Sequence, residues 1–226
     1  MPVDMSIALL TVAPWLDRPS FLWLWLILML VSQLILHFDL RQNNAHLMPL
    51  MRFIWRLTVL YSGPLGLAIY YYSGRKEIPQ DDIWRRSFRS VAHCYSGCGM
   101  GEIAGLFIAV GLLSLSTPWV VGLTFTLAFA AGYALTVLPL MQDGVPFRRA
   151  MRDALYSETA SIAVMEIVAI SVDLWLGGNA GMGEVRFWSA MLVSLSLGLL
   201  AAYPVNVLLI RMGVKSGMHS PKLAHG

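Results

Sequence analysis

A ten-residue segment near the middle of the chain, 93–102, concentrates side chains that bind soft metal ions. It reads HCYSGCGMGE. On a regular helix Cys94 and Cys98 lie one turn apart on the same stripe, whereas His93 points about 100° away from Cys94. Two thiolates and an imidazole suit Cu(I) or Zn(II). The segment predicts a metal site made of His93, Cys94 and Cys98, provided that the first turn is irregular; the alternative is two small cysteines that only fill space.

The two cysteines are the only ones in the chain, and their spacing argues against a disulfide. Helical neighbours four residues apart have Cβ atoms about 5–6 Å apart, whereas a disulfide needs about 3.5–4.5 Å. Gly97, Gly101 and Gly105 form a ridge of small residues beside them, which predicts the close approach of another helix. We therefore expect reduced thiols that face protein rather than lipid.

Further polar side chains fall inside apolar blocks of the chain. Carboxylates are costly at membrane depth and seldom face lipid, so these side chains should point inward or onto a polar cavity. We expect them to support the thiols by balancing charge or passing protons; the alternative is that they only hold helices together through hydrogen bonds. The supporting set comprises Glu102, Glu158, Thr159, Ser161, Glu166, Tyr203 and Asn206.

A second candidate site lies between the first two apolar blocks. His37, His46, Met48 and Met51 put four copper-ligand side chains within fifteen residues. They predict a capture site on the outer side of the membrane. The alternative is that Met48 and Met51 are ordinary apolar residues at the start of a helix.

The composition requires these side chains to sit in a membrane. Hydrophobic residues make up 57% of the 226 residues and charged residues 13%, whereas soluble domains have roughly 45–50% and 25%. Several apolar blocks exceed the roughly 18 residues that cross a bilayer as a helix. The sequence predicts an all-α, polytopic transmembrane bundle of about six spans, with proline kinks at Pro64, Pro139 and Pro204. The predicted spans are 21–38, 53–72, 93–115, 119–141, 155–176 and 187–210.

The Lys and Arg residues predict how the bundle is inserted. Twelve of them fall on one side of the six spans, and only Arg41, Arg52 and Arg186 lie in loops on the other. Because the basic side of a membrane protein is cytoplasmic, both termini should be cytoplasmic. The basic residues lie in short loops between apolar blocks, and no groove-reading motif is present, so we expect no nucleic-acid partner. The predicted divisions are a two-helix region 1–75, a basic cytoplasmic loop 76–92, a four-helix domain 93–215 and a cytoplasmic tail 216–226.

The segment 93–102 resembles a bacterial membrane family of unknown function whose signature is H-C-x-x-G-C-x-x-G-D. The resemblance extends over roughly 85–220, with Glu in place of Asp at Glu102 and Ser157-Glu158 in place of Ala-Asp. It implies a four-helix bundle in a bacterial cytoplasmic membrane and no established activity. Its other matching pieces are Glu158-Thr159-x-Ser161 with Glu166, and Pro204-x-Asn206 with Ile210-Arg211-x-Gly213-x-Lys215 and Met218.

Taken together, these features predict a membrane protein that transports or delivers a soft cation, Cu(I) first, through a Cys/His site at the cytoplasmic side. Its partners would be the lipid bilayer and a metal chaperone or membrane partner. The first alternative is a thiol redox or sensing protein that uses Cys94 and Cys98. The second is a structural or assembly subunit without metal. We expect no enzyme, because no loop is long enough to build a cleft outside the membrane.

Overall fold

The computed structural model describes residues 14–76 and 80–215, and the regular secondary structure of this part of the chain is all helical. The predicted tail 216–226 lies outside the described residues, as does the N-terminus. A short 3-10 helix, Pro14–Asp17, precedes seven α-helices, and α4 continues as a π-helix, Phe107–Leu112. The α-helices are α1 (Pro19–Gln42), α2 (Pro49–Ser62), α3 (Pro64–Ser73), α4 (Ile83–Leu106), α5 (Thr117–Gln142), α6 (Phe147–Gly177) and α7 (Val185–Arg211).

Five of these helices are long and apolar enough to cross a membrane: α1, α4 with its π-helical extension, α5, α6 and α7. Their outward faces carry large apolar side chains, as at Trp23, Ile27 and Leu34 on α1, which suits contact with lipid. Pro139 and Pro204 lie inside α5 and α7. The all-α prediction is confirmed, and the long helices are consistent with a membrane protein.

The second apolar block, 53–72, is not one spanning helix. Gly63 has φ +54°, a conformation that favours glycine, and Pro64 starts a new helix because it cannot continue the preceding one. The block therefore divides into α2 and α3, of 14 and 10 residues. The prediction of a continuous span here is wrong. Hydropathy shows that a segment is apolar, but it does not show whether the chain continues straight or turns back.

Helices α2 and α3 fold back on each other, and we call them the hairpin 49–73. The rings of Trp55 and Tyr70 are 5.3 Å apart, although fifteen helical residues in a straight line would separate them by about 22 Å. A Cβ built on Gly74 would lie 2.6 Å from the Trp55 ring. The hairpin therefore enters and leaves at the same end of the bundle.

Side-chain contacts fix which segments share an end. At one end, Asp17 pairs with Arg186 at 3.6 Å, and Leu16 packs with Leu176 and Ala190. We call this the Asp17 end; it holds 14–18, 113–116 and 178–184.

At the other end, Asp39 pairs with Arg75 at 3.1 Å, and Asn44 accepts a hydrogen bond from the Lys76 amide at 2.9 Å. Arg211 lies over the ring of Trp84. We call this the Lys215 end; it holds 43–48, 74–76, 80–82, 143–146 and 212–215.

The first and last described segments therefore lie at opposite ends of the bundle. The termini themselves lie outside the described residues, so the prediction that both are cytoplasmic stays a prediction. The hairpin 49–73 places the segments before and after it at the same end, whereas a spanning helix would have placed them at opposite ends.

Helix α4 is the central helix, and the glycine ridge lets α5 approach it closely. A Cβ on Gly101 would overlap the Leu127 carbonyl oxygen, one on Gly97 would meet Gly132 at 2.8 Å, and one on Gly105 would meet Thr124 at 2.8 Å. The predicted close packing is confirmed. On another face α4 meets the hairpin, where Ser96 donates to the Ile54 carbonyl at 2.9 Å.

Candidate functional site

A thiol, a carboxylate and an ammonium group are joined in a row inside the bundle. The Sγ atom of Cys94 on α4 donates to Oε2 of Glu158 on α6 at 3.1 Å, and Nζ of Lys215 lies 2.6 Å from the same oxygen. Cys94 is 1% exposed, Glu158 4% and Lys215 8%. The charges of Glu158 and Lys215 cancel, so the buried row is neutral as long as the thiol keeps its proton.

Asn206 on α7 connects this row to the surrounding helices. Its Oδ1 accepts from Nζ of Lys215 at 3.1 Å and from Oγ of Ser90 at 2.9 Å. Its Nδ2 donates to Oγ of Ser161 and to the Ala202 carbonyl. The amide group is therefore fully satisfied, which makes it a rigid support for the ammonium group. We call Cys94, Glu158, Ser161, Asn206 and Lys215 the thiol–carboxylate site.

The topology of three helices brings this site together. Helices α4 and α6 both begin at the Lys215 end, so Cys94 and Glu158 lie at similar depth along parallel helices. Helix α7 runs the other way and places Asn206 near its last turn. After α7 the chain reverses at Gly213, whose φ is +71°, a conformation that favours glycine. That turn directs Lys215 back into the bundle.

The imidazole of His93 is not gathered with both thiols. His93 is buried, and its hydrogen-bond partner is the backbone of Leu135 on α5. In 14–76 and 80–215, no three His, Cys, Asp or Glu side chains are grouped so as to hold a metal ion. The physical reason is the regular first turn of α4, which keeps neighbouring side chains about 100° apart.

Both cysteines are free thiols buried in the protein, which agrees with the expectation that they face protein. Cys98 is 1% exposed, and its Sγ lies 3.2 Å from the position of a Cβ built on Gly132 of α5. It also lies near the carboxyl group of Glu166 on α6. Cys98 is therefore located between the thiol–carboxylate site and the carboxyl groups deeper in the bundle.

The deeper carboxyl groups belong to Glu102 on α4 and Glu166 on α6. Both are buried, at 4% and 1% exposure. Neither oxygen of Glu166, nor Oε2 of Glu102, has a hydrogen-bond partner within the described part of the chain. Bare carboxylates in hydrocarbon are costly, so these groups need a proton, a water molecule or a cation.

Two of the predicted supporting residues lie away from the thiol–carboxylate site. Thr159 is half-buried and bonds Tyr133 of α5 at 2.8 Å. Tyr203 is also half-buried, and its ring stacks on Phe88 with centroids 3.9 Å apart. Both side chains join helices, which is the alternative role considered for them.

The predicted capture residues lie in different surroundings. Met51 is buried in the core, while Met48 is 57% exposed. His37 lies beside the ring of Phe38 on α1, and His46 is half-buried in the loop 43–48. That loop lies at the Lys215 end, because Asn44 bonds the amide of Lys76. It therefore shares an end with the thiol–carboxylate site, contrary to the prediction of a site on the opposite side.

A family model described as a domain of unknown function, DUF4396, matches residues 83–215. The chain belongs to the DUF4396 family. Neither a comparison with curated proteins nor one with solved structures found a match. The DUF4396 unit begins at the first residue of α4 and ends at Lys215, so it contains every residue of the thiol–carboxylate site and excludes α1 and the hairpin 49–73.

The predicted set of site residues lacks Lys215, which belongs to the thiol–carboxylate site, and Ser90, which donates to Asn206. The sequence analysis treats Lys215 as a basic loop residue and as part of the family resemblance, but not as a site residue, because it lies four residues beyond the end of α7. A signal existed in the pattern Gly213-x-Lys215, since a glycine after a helix often reverses the chain. Ser90 precedes the apolar block of α4 and gave no comparable signal.

Proposed function

We propose that this DUF4396 protein handles a soft metal cation, with Cu(I) as the first candidate. In this proposal Cys94 and Cys98 are the thiolate ligands, and Glu158 accepts the proton that Cys94 releases. The protein would transport the ion or deliver it to a partner. Handling denotes reversible binding at a buried site that can be reached from the Lys215 end.

The observation that carries the proposal is the 3.1 Å contact between Sγ of Cys94 and Oε2 of Glu158. A thiol binds a metal ion only after it loses its proton. Here the acceptor for that proton is already in contact with the thiol, and Lys215 holds the acceptor ionised at 2.6 Å. A cysteine that merely filled space would not require this arrangement.

Charge balance favours a monovalent ion. Before binding, the two thiols are neutral and the Glu158–Lys215 pair sums to zero. After binding, two thiolates, one Cu(I), a protonated Glu158 and an ammonium Lys215 also sum to zero. The balanced step is two thiols, one carboxylate and Cu(I) giving a dithiolate complex, a carboxylic acid and one released proton. A buried site thus exchanges one Cu(I) for one proton without gaining net charge.

The ligand set also favours Cu(I) over Zn(II). Structural Zn(II) sites are almost always four-coordinate, and the described part of the chain offers no group of three His, Cys, Asp or Glu side chains for an ion. Cu(I) is a soft ion that prefers thiolate ligands, and two thiolates in a linear arrangement satisfy it. We therefore leave His93 outside the proposed ligand set.

We further propose that the Lys215 end is cytoplasmic and that the chain crosses a bacterial cytoplasmic membrane five times. With the hairpin 49–73 counted as re-entrant, the basic residues at the Asp17 end reduce to Arg18 and Arg186, while the other described loops and helix ends with Lys or Arg belong to the Lys215 end. This asymmetry exceeds the one that the six-span arrangement gives, and the basic side is cytoplasmic. A metal chaperone would then dock at the Lys215 end.

Metal analysis of the purified, reduced protein tests the proposal. After loading with Cu(I) and removal of excess ion, the wild type should retain one Cu per chain, and Cys94→Ser and Cys98→Ser should each lose it. Met100→Leu is the matched control, because it removes a sulfur atom from the same helix at a half-buried position and should retain the ion.

Other outcomes of this measurement identify the alternatives. A metal-free wild type whose thiols titrate reversibly with an oxidant would support thiol redox chemistry. Wild-type behaviour of both cysteine variants, in metal content and in thiol titration of the remaining cysteine, would support a structural subunit. Either result overturns the soft-cation proposal.

A further inference from the structure

Two arginines lie on the outer side of the hairpin 49–73, below the end of the bundle. Arg52 and Arg56 are one turn apart on α2, and Arg56 is exposed. It belongs to the same stripe as Phe53 and Leu60, which are each 43% exposed. Seven helical residues separate Arg56 from the start of α2, a rise of about 10 Å away from the Lys215 end. A guanidinium group without a counter-charge is costly on such an apolar surface.

The helices around these arginines offer no spare carboxylate to balance them. Helices α1, α2 and α3 contain a single carboxylate, Asp39, which is buried. Its oxygens pair with Arg75 and accept a hydrogen bond from Tyr70. Among residues 14–76 and 80–215, neither Arg52 nor Arg56 forms an ion pair with a carboxylate. The two guanidinium groups therefore attract an anion from outside this part of the chain.

The arginines border a seam between α1 and α2. Gln33 of α1 donates from Nε2 to the carbonyl oxygen of Arg56 at 2.6 Å. The two helices run in opposite directions, because α1 ends and α2 begins at the Lys215 end. One turn towards that end therefore brings His37 of α1 to the depth of Arg52 of α2. His37 is half-buried, and even a neutral imidazole has one N–H group to donate. We call Gln33, His37, Arg52 and Arg56 the cationic seam.

An apolar cavity of about 390 Å³ begins one turn deeper on the same two helices. Its lining includes Met29, four residues before Gln33, and Leu60, four residues after Arg56. Along α1 it continues to Leu22, about 10 Å farther towards the Asp17 end. Leu, Ile, Met and two aromatic side chains from α1, α2, α4 and α7 form the whole lining. Because Leu60 also belongs to the exposed stripe of α2, the cavity reaches the outer surface of the bundle.

The order of these two features matches an amphipathic molecule with an anionic head and an apolar chain. We propose that the cationic seam and the cavity together bind an anionic phospholipid from the leaflet at the Lys215 end. Its phosphate pairs with Arg52 and Arg56, since guanidinium groups suit phosphate oxygens, and one acyl chain occupies the cavity. A zwitterionic lipid supplies the same chain without net negative charge, so the site selects anionic lipid. Basic pockets between membrane helices are known to hold such headgroups.

Lipid retention, measured by mass spectrometry of the intact protein, tests the seam. Delipidated protein in neutral detergent is incubated with equal amounts of phosphatidylglycerol and phosphatidylcholine that carry the same long acyl chains. The wild type should retain phosphatidylglycerol in preference, and the double variant Arg52→Gln, Arg56→Gln should lose that preference. The matched control is Arg148→Gln with Arg149→Gln, which removes two exposed charges at the same end of the bundle and should keep it.

Two further arms test the cavity and the source of the phosphate. Phosphatidylglycerol with short acyl chains should be retained less than the long-chain lipid, because it leaves the cavity partly empty. Inorganic phosphate should not displace the long-chain lipid. All arms use metal-free protein, and the site shares no residue with the thiol–carboxylate site, so a failure here leaves the soft-cation proposal unaffected.

Equal retention of the two long-chain lipids by the wild type would overturn the proposal, and that outcome needs no variant to fold. Displacement by inorganic phosphate would overturn it as well, and so would retention that does not depend on chain length. A control variant that loses the preference as fully as the seam variant would show that only the total charge of this end attracts the lipid, which also contradicts the proposal.

Discussion

The Glu158 carboxylate contacts two chemically different groups, a thiol and an ammonium group. Its Oε2 atom accepts from the Cys94 thiol at 3.1 Å and pairs with the Lys215 ammonium at 2.6 Å. Removing one member of a buried ion pair leaves the other as an uncompensated charge, which costs about 3–5 kcal/mol. Lys215 thus compensates the charge of Glu158 beside a thiol.

Substitution of Lys215 should therefore destabilise the protein through Glu158. Lys215→Met alone should lower the melting temperature in detergent, and adding Glu158→Gln should restore part of the loss, since the unpaired charge is then gone. Arg152→Met is the control, because it breaks an exposed ion pair of the kind that contributes little.

A double-mutant cycle from the same melting curves decides whether the two groups act together. Effects of Lys215→Met and Glu158→Gln that simply add would show that the 2.6 Å contact carries no coupling. The row of groups would then lose its electrostatic basis.

The sequence predicts those site residues whose contacts depend only on their depth in the bundle. Cys94, Glu158, Ser161 and Asn206 lie at the same depth on helices that the hydropathy pattern locates, and they meet. His93 lies at the same depth but faces α5. The metal site predicted from the sequence needs an irregular first turn in this segment, and the helix there is regular. Lys215 needed the turn at Gly213, whose direction no periodicity encodes.

At the scale of elements, the hairpin 49–73 changes the topology of the whole N-terminal part. Apolar content is the same for a span and for a hairpin buried in protein, so composition could not tell them apart. The local signal is Gly63-Pro64, from which the sequence analysis predicts a kink. A proline at the first position of a helix fits a kink and a reversal equally; the reversal depends on close contacts such as that of Gly74 with Trp55.

The five-span arrangement proposed above predicts which loops can be labelled from outside the cell. Single cysteines at Gly183, Ala45 and Asp143 would all be exposed. A membrane-impermeant maleimide should label Gly183→Cys in intact cells, and Ala45→Cys and Asp143→Cys only after permeabilisation. The wild type is the blank, because Cys94 and Cys98 are buried.

Ala45→Cys distinguishes the two topologies. If the segment 53–72 crossed the membrane, the loop 43–48 would be on the same side as Gly183, and the two variants would be labelled alike. Labelling of Ala45→Cys in intact cells would therefore contradict the five-span arrangement.

The DUF4396 unit buries ionisable groups at two depths along its helices. At the depth of Cys94, the charge of Lys215 balances that of Glu158. At the depth of Glu102 and Glu166, three of the four carboxyl oxygens have no hydrogen-bond partner in the described residues. Net charge in hydrocarbon is costly, so charge balance governs what the unit can bind. A cation entering such a bundle must displace positive charge, and protons are the charge that these side chains can release.

The number of protons released when Cu(I) binds tests the central claim most directly. Calorimetric titration of reduced, metal-free protein with Cu(I), repeated in buffers of different ionisation enthalpy, gives this number. We expect one proton per Cu(I) for the wild type and two for Glu158→Gln, which has no acceptor for the proton of Cys94. The same number in both proteins, or no binding of Cu(I) by the wild type, would contradict the account.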